Sequence, residues 1–321
     1  MRNKYGEPKS GCSMLIGCGS LLIVGMIISL IIMWTALSAY MPEISARSLG
    51  DQEEFTAYLQ SVVETVTADI AGLNQHNLNI LSNAAQIVIL FIVFKLIYKR
   101  PLSQLGLPRE NWLKPLGLGC LAAIIAISLY ALIVYMSGAA IFTGLDISKL
   151  YSADILSAFI FFISVGFYEE ILCRGFLMTV LKTTRNNWVV IAVPAVIFGL
   201  MHLMNPGVTL LGIINIILIG LAFAYMFIKT GSLWMPIGFH IMWNFFQGNI
   251  YGIQVSGLEG TSLTQYTPTG PDILTGGAFG AEGGLICTVI IIAVLAYIHF
   301  GLSIKEPPVW TTDSDLPFNT R

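Results

Sequence analysis

Three short stretches of this sequence place ionisable or amide side chains inside runs of apolar residues. A charged side chain near the centre of a bilayer costs a few kcal/mol on insertion scales, so such residues are rare and usually functional. They are therefore the first candidates for chemistry. The residues are Glu169, Glu170 and Arg174 in "FYEEILCRGF", Phe198 and His202 in "VIFGLMHLM", and His240 and Asn244 in "MPIGFHIMWNF".

The chemistry that this set supports is activation of a water molecule and stabilisation of an oxyanion. A glutamate and a histidine can polarise a water for attack on an amide carbonyl, while a second histidine and an asparagine donate hydrogen bonds to the developing oxyanion. The sequence contains no GxSxG, GxGD or HExxH motif, the patterns of serine, intramembrane aspartyl and conventional zinc enzymes. The pattern therefore predicts peptide hydrolysis without a covalent nucleophile.

Spacing gives the two adjacent glutamates different roles. Glu170 and Arg174 are four residues apart, which puts them on one face of a helix and predicts an ion pair. Successive helical positions are turned by about 100°, so Glu169 faces elsewhere, toward the helix that carries His202. Because Glu169 has no partner at helical spacing, it is the candidate general base.

The spacing along the chain also predicts how deep these residues lie in the membrane. Glu169 and His202 lie at nearly equal numbers of residues on either side of the polar turn "TTRNNW". They should therefore reach nearly the same height, with His240 shallower by ~9 Å at a rise of about 1.5 Å per residue. From these depths we expect the site to open toward the side of that turn, the cytoplasmic side.

The composition indicates the class of protein that holds these residues. The chain has 321 residues, 55% of them apolar and 11% charged, with a mean hydropathy of +0.78, whereas soluble domains carry about 25% charged residues. It is therefore expected to be a polytopic membrane protein. No basic patch with interleaved aromatic residues occurs, so a nucleic-acid partner is excluded. The five cysteines form no CxxC pair, which favours neither a disulfide framework nor a thiolate zinc site.

Runs of about 20 apolar residues predict the spanning helices. The expected fold class is all-α, with about eight transmembrane helices and a catalytic cavity among the middle ones. The predicted spans are 14–37, 79–98, 115–137, 155–177, 188–204, 209–228, 233–251 and 284–303.

The placement of lysine and arginine predicts the orientation. With both termini in the cytoplasm, the outside keeps only Arg47 and Lys149. The predicted regions are an N-terminal membrane region of about three spans, a catalytic core of about four, and a C-terminal region with an external Gly/Thr-rich loop, the last span and a tail. The N-terminal region includes an acidic external segment, 40–78, with an amphipathic helix near Glu53–Leu73. The three regions are 1–149, 150–251 and 252–321.

The motifs EExxxR, FxxxH and HxxxN, in that order over about residues 150–250, resemble those of the CPBP family. This family contains the type II CAAX prenyl endopeptidases and bacterial bacteriocin-processing or self-immunity (Abi-like) proteins. The resemblance implies an eight-helix intramembrane endopeptidase, a glutamate protease in its mechanism. It implies water activation by Glu169 and His202, an oxyanion site of His240 and Asn244, and a supporting role for Glu170, Arg174 and Phe198.

Several questions stay open at this stage. We expect no cofactor, but two histidines and a glutamate could ligate zinc, so a zinc-dependent hydrolysis is the alternative. The expected substrate is a membrane-associated peptide or protein; neither its prenylation nor the oligomeric state is predicted.

The short, mostly spanning architecture favours a bacterial plasma membrane. A transporter would use the same residues as an ion path, yet the chain lacks the internal symmetry of many transporters. A non-enzymatic, peptide-binding immunity protein is the third alternative.

Overall fold

The computed structural model describes residues 15–20, 34–35, 37–38, 40–48, 51–72, 75–98, 102–184 and 186–302. Within these residues the protein is mostly helical, which confirms the all-α prediction. Most of the first predicted span and the tail after residue 302 lie outside the described residues.

In the described residues from 41 onward, the α-helices run in chain order with two short strands between them. They are α1 Met41–Arg47, α2 Gln52–Gly72, α3 Gln75–Tyr98, α4 Leu113–Met136, α5 Ala153–Glu170, α6 Met178–Leu181, α7 Asn187–Leu200, α8 Leu210–Thr230, α9 Trp234–Phe245, α10 Asp272–Thr275 and α11 Leu285–Gly301. The strands are β1 Ala140–Thr143 and β2 Gln265–Pro268, which pair antiparallel. Two π-helical segments are Ile171–Leu177 and Phe246–Ile250. Short 3₁₀ turns occupy Leu102–Leu105, Ile147–Tyr151, Lys182–Thr184, Gly277–Phe279 and Ala281–Gly283.

Four helices in the described part of the chain are long and apolar enough to cross a membrane, by length and composition. They are His76–Leu96, Leu113–Met136, Ala153–Leu181 and Leu210–Thr230. Two shorter apolar helices, Asn187–Leu200 and Leu285–Gly301, coincide with the predicted fifth and eighth spans. The prediction of about eight spans is thus not confirmed and stays a prediction.

The fifth predicted span is shorter than expected. Helix α7 ends at Leu200 and is followed by turns up to Gly207. Gly207 has φ 66°, in the left-handed region that glycine tolerates best. A Cβ there would also lie 2.9 Å from the backbone of Ala278. The predicted end at 204 is therefore wrong, because the last residues of the apolar run, 201–204, already lie in the turns that lead to Gly207.

Helices α4 and α9 pack backbone to backbone at the centre of the bundle. A Cβ added at Gly119 would collide with the carbonyl oxygen of Met235, and one added at Gly238 with that of Leu116. Small residues allow helices to approach this closely within a membrane. The contact fixes the helix that carries His240 against a long, apolar neighbour.

Residues 252–284, which we call the 252–284 segment, fold over one end of the bundle. Strand β2 lies in this segment and pairs with β1. Buried polar side chains attach the segment to the helices: Asn249 Nδ2 donates to the Thr261 carbonyl at 2.7 Å, and the Tyr130 hydroxyl donates to the Thr275 carbonyl at 2.6 Å. The segment does not cross the bundle, as its glycine-rich composition predicts, but it packs closely against the helices.

Candidate active site

The predicted ion pair between Glu170 and Arg174 is present and completely buried. Arg174 Nη1 donates to Glu170 Oε1 at 2.7 Å, and both side chains are 0% exposed. Arg174 Nη2 donates to the carbonyl of Gly220 on α8 at 3.0 Å. A Cβ at Gly220 would lie only 3.2 Å from Nη2, so this glycine leaves room for the guanidinium. The pair therefore links the helix of the first motif to α8.

Helices α5 and α9, which carry the first and third motifs, change to π-helix just beyond their catalytic candidates. Ile171–Leu177 follows the two glutamates and contains Arg174, and Phe246–Ile250 follows Asn244. π-Helical turns are rare and are frequently found at functional sites. No feature of the apolar pattern predicted them.

His240 lies between the two glutamates. Its Nδ1 is 3.1 Å from Glu170 Oε1, and its Nε2 is 3.6 Å from Glu169 Oε2. Glu170 is ion-paired and acts as an acceptor, so Nδ1 must carry the proton of that hydrogen bond. In the neutral ring this leaves the Nε2 lone pair facing Glu169. Glu170 thus orients His240 in addition to pairing with Arg174.

His202 lies in the turn after α7 and has a defined tautomer. Its Nδ1 is 2.8 Å from the carbonyl oxygen of Phe198, which can only accept, so Nδ1 carries the proton and Nε2 is the acceptor. We expected Glu169 to point toward His202. The two residues share one cavity, but the histidine within 4 Å of Glu169 is His240.

The Phe198 ring packs against Arg174 and against both imidazoles. The Arg174 guanidinium lies 4.5 Å from the centre of its ring, a cation–π geometry. The same ring makes edge contacts with His202 and His240, with centroids 5.2 and 5.9 Å apart. The supporting role implied for Phe198 therefore has a physical basis: its ring fixes three polar groups around it.

A cavity of about 220 Å³ joins the candidates. Glu169, His202, His240 and Asn244 all line it, whereas Glu170 and Arg174 lie behind its wall. The Glu169 side chain is 16% exposed, and its Oε2 has no hydrogen-bond partner among the described residues. Within the described residues no hydrogen bond engages the Asn244 amide. Both groups are thus available to a substrate or a water.

The cavity opens at the end of the helices opposite the "TTRNNW" turn. The lining residues Met201 and Leu258 are exposed, and Asn205 and Ser256 next to them are half-buried. These residues belong to the turn after α7 and to the 252–284 segment. The expected opening toward the "TTRNNW" side is therefore wrong, because counting helical rise gave depths but not the direction of the open face.

Glu282 is a cavity residue that no sequence motif indicated. This residue lines the cavity, is 6% exposed, and accepts at Oε2 from Gln247 Nε2 at 2.7 Å. Burial raises the pKa of its carboxyl. It lies in the glycine-rich "GAEGG" stretch, which has no helical or strand periodicity from which an inward-facing position could be predicted. The acidic residue itself was the only signal of a functional position.

A metal ion has a possible set of ligands in Glu169, His202 and His240. Across the described residues, no group of three or more histidine, cysteine, aspartate or glutamate side chains is arranged to hold an ion. The distance between His240 and Glu169 would suit two ligands, but a third protein ligand is needed for a catalytic zinc site. We therefore derive no step through a metal, and the metal-free prediction stays a prediction.

Comparison with known proteins identifies the part of the chain that holds this site. Residues 151–246 match the family model described as type II CAAX prenyl endopeptidase, Rce1-like. No curated protein and no solved structure matches the chain. The matched residues contain all three motifs. Residues 151–246 therefore form an Rce1-like region, which confirms the resemblance to the CPBP family.

Proposed function

We propose that this integral membrane protein is an endopeptidase that hydrolyses a peptide bond of a membrane-associated peptide or protein. The observation that supports the proposal best is the cavity itself. A glutamate oxygen and an asparagine amide, neither with a hydrogen bond in the described part of the chain, converge there with two histidines of defined orientation within an Rce1-like region. This is the donor and acceptor set that water attack on an amide requires.

In the proposed reaction a water molecule binds between Glu169 and His202. Glu169 takes one proton from the water, and the Nε2 lone pair of His202 accepts a hydrogen bond that orients it. The water oxygen attacks the carbonyl carbon of the scissile bond and produces a tetrahedral oxyanion. Glu169 then gives its proton to the amide nitrogen, the carbon–nitrogen bond breaks, and a carboxylic acid and an amine are released.

Asn244 and His240 are the proposed oxyanion donors. The Asn244 amide donates directly, since no other hydrogen bond engages it within the described residues. His240 already donates from Nδ1 to Glu170, so it donates from Nε2 only when both ring nitrogens carry protons. The carboxylates of Glu169 and Glu170 on either side would balance the charge of that imidazolium.

The proposed location is a bacterial plasma membrane, and the lysine and arginine pattern supports the proposed orientation, with both termini in the cytoplasm. Lys114, Lys182 and Lys229 lie at the ends of helices remote from the cavity mouth. The stretches that surround the mouth, 137–155, 201–209 and 251–284, contain one residue that is lysine or arginine, Lys149. Because basic loops stay in the cytoplasm, the mouth would face outward. The substrate would then present its cleavage site from the extracytoplasmic side.

Purified protein in detergent tests the proposal directly. It would be incubated with membrane-tethered peptides, with and without a chelator, beside the variants Glu169→Gln, His202→Ala and His240→Ala. Glu259→Gln, at an exposed carboxylate near the mouth, is the matched control. We expect cleavage by the wild type and the control, and none by the other three variants. Cleavage that survives in all variants would reject the proposal, and loss on chelation that zinc restores would support the zinc-dependent alternative.

A further inference from the structure

Glu282 is a buried carboxylate in the cavity that the proposed hydrolysis does not use. It lies outside the Rce1-like region, in the 3₁₀ turn Ala281–Gly283 just before α11. Its neighbours at the cavity wall include Ser256, a half-buried residue of the mouth. A substrate that enters through the mouth toward Glu169 would therefore pass this side chain.

The position of Glu282 is fixed from two helical elements. Asn215 on α8 donates from Nδ2 to the Glu282 carbonyl at 2.7 Å and to the Gly284 carbonyl at 3.0 Å. Gln247, in the second π-helical segment, donates to the side-chain oxygen Oε2 at 2.7 Å. A group held by both its backbone and its side chain is preorganised for binding.

The carboxylate of Glu282 has no ion-pair partner in the described residues, although the His202 imidazole acts on it electrostatically. Among the ion pairs of the described residues none includes Glu282. The two hydrogen bonds that reach its carboxylate from other described residues, from Gln247 and from the Ser256 amide at 3.4 Å, both end on Oε2. Burying an unpaired carboxylate is costly, and burial accordingly raises the pKa of this group. A cation that entered the cavity would remove that cost.

Attachment of the 252–284 segment does not by itself require a carboxylate. The bond from Gln247 needs only an acceptor oxygen, which a glutamine at position 282 would also offer. The Arg174 charge elsewhere in the site is already balanced by Glu170. The local hydrogen bonds thus do not require a negative charge at position 282.

We propose that Glu282 is a specificity residue that binds a cationic group of the substrate, a lysine, an arginine or a free α-amino group. The proposal rests on the peptidase function, since it assigns a subsite to the same cavity. Hydrogen bonds to charged groups are stronger than neutral ones, so a cationic side chain at the matching position would be preferred over an apolar one of equal length.

Paired peptides test this subsite. Each pair carries lysine or norleucine at one position of an otherwise identical membrane-tethered peptide, and the position is moved along the peptide. Binding is measured by fluorescence anisotropy to protein carrying Glu169→Gln, so that cleavage does not interfere. Cleavage of the same pairs is measured with unmodified Glu169. We expect one position at which lysine is preferred, and loss of that preference by about ten- to a hundredfold in Glu282→Gln.

The controls separate this proposal from a structural role and from the peptidase proposal. Glu259→Gln should keep the lysine preference. An equal loss for lysine and norleucine peptides in Glu282→Gln would overturn the proposal, and so would a wild-type protein without lysine preference at any position, a result that does not depend on the folding of the variant. A Glu282-dependent preference in binding without any cleavage would support the subsite and reject the peptidase.

Discussion

The His240 imidazole donates from Nδ1 to Glu170 Oε1 at 3.1 Å, and this hydrogen bond decides which ring nitrogen faces the cavity. The same oxygen accepts from Arg174 at 2.7 Å. One carboxylate therefore balances a buried guanidinium and orients an imidazole. Glu169 is left for the proposed chemistry because Glu170 performs both supporting tasks.

Replacing Glu169 should remove activity and leave stability unchanged. We expect Glu169→Gln to lower kcat by about 10²- to 10⁴-fold, the usual contribution of a general base. Its Oε2 makes no hydrogen bond to any residue that the structure describes, so the thermal unfolding temperature in detergent should match the wild type. An unstable but active variant would contradict the assignment.

Removing the Arg174 charge should destabilise the protein. Arg174→Met leaves Glu170 buried without its cation, which costs about 3–5 kcal/mol in free energy of unfolding. The double variant Glu170→Gln with Arg174→Met should recover much of this loss, because no unpaired charge remains. Denaturant titration of the protein in micelles measures both, and equal destabilisation of the single and double variants would argue against a charge effect.

Two substitutions at His202 distinguish its two nitrogens. Asparagine can still donate to the Phe198 carbonyl but has no group at the Nε2 position. We expect His202→Asn and His202→Ala to lose activity equally, while asparagine retains about 1 kcal/mol of stability from the hydrogen bond. Cleavage assays and thermal unfolding measure the two effects. Substantial activity in His202→Asn would show that Nε2 is dispensable.

The accessibility of the cavity mouth tests the proposed orientation. In a background without native cysteines, Leu258→Cys at the mouth should react with a membrane-impermeant maleimide added to intact cells. Trp188→Cys, which replaces an exposed residue at the opposite end, should react only after permeabilisation. The reverse pattern would place the mouth in the cytoplasm.

The stability of the protein should depend on the ionisation of Glu282. Since burial raises the pKa of this carboxyl, the folded protein keeps the proton to a higher pH than the unfolded chain does. The contribution of this carboxyl to the free energy of unfolding is thus greatest below the ordinary carboxyl pKa. It is lost as the pH rises through the raised pKa, at most about 1.4 kcal/mol per pH unit. Thermal unfolding across this range should show a fall in the wild type that Glu282→Gln reduces, and identical profiles would contradict it.

Local spacing predicted some of this site well. The pair of Glu170 and Arg174 follows from their separation by four residues, and the apolar runs predict α3, α4 and α8 closely. The predicted amphipathic helix near Glu53–Leu73 corresponds to α2, Gln52–Gly72. These features depend on contacts within a helix or on the composition of one segment, which a single sequence contains.

Contacts between distant segments were harder to predict. Counting residues along α7 and α9 estimated depths, but it could not tell that His240, and not His202, lies beside Glu169. The lateral arrangement of helices depends on side-chain packing, such as the close contact at Gly119 and Gly238. Glu282 reaches the cavity through a segment without periodic pattern, so its position depends on tertiary hydrogen bonds alone.

The 252–284 segment also determines how much of the chain is needed to enclose the cavity. A fragment that ended at residue 246 would retain every motif and the whole Rce1-like region. It would lack Val255, Leu258 and Glu282, and with them α11, which contributes Cys287 and Ile291 to the cavity wall. Such a fragment would expose the Asn215 side chain and one face of the cavity to lipid, so the motifs alone do not define a transplantable catalytic domain.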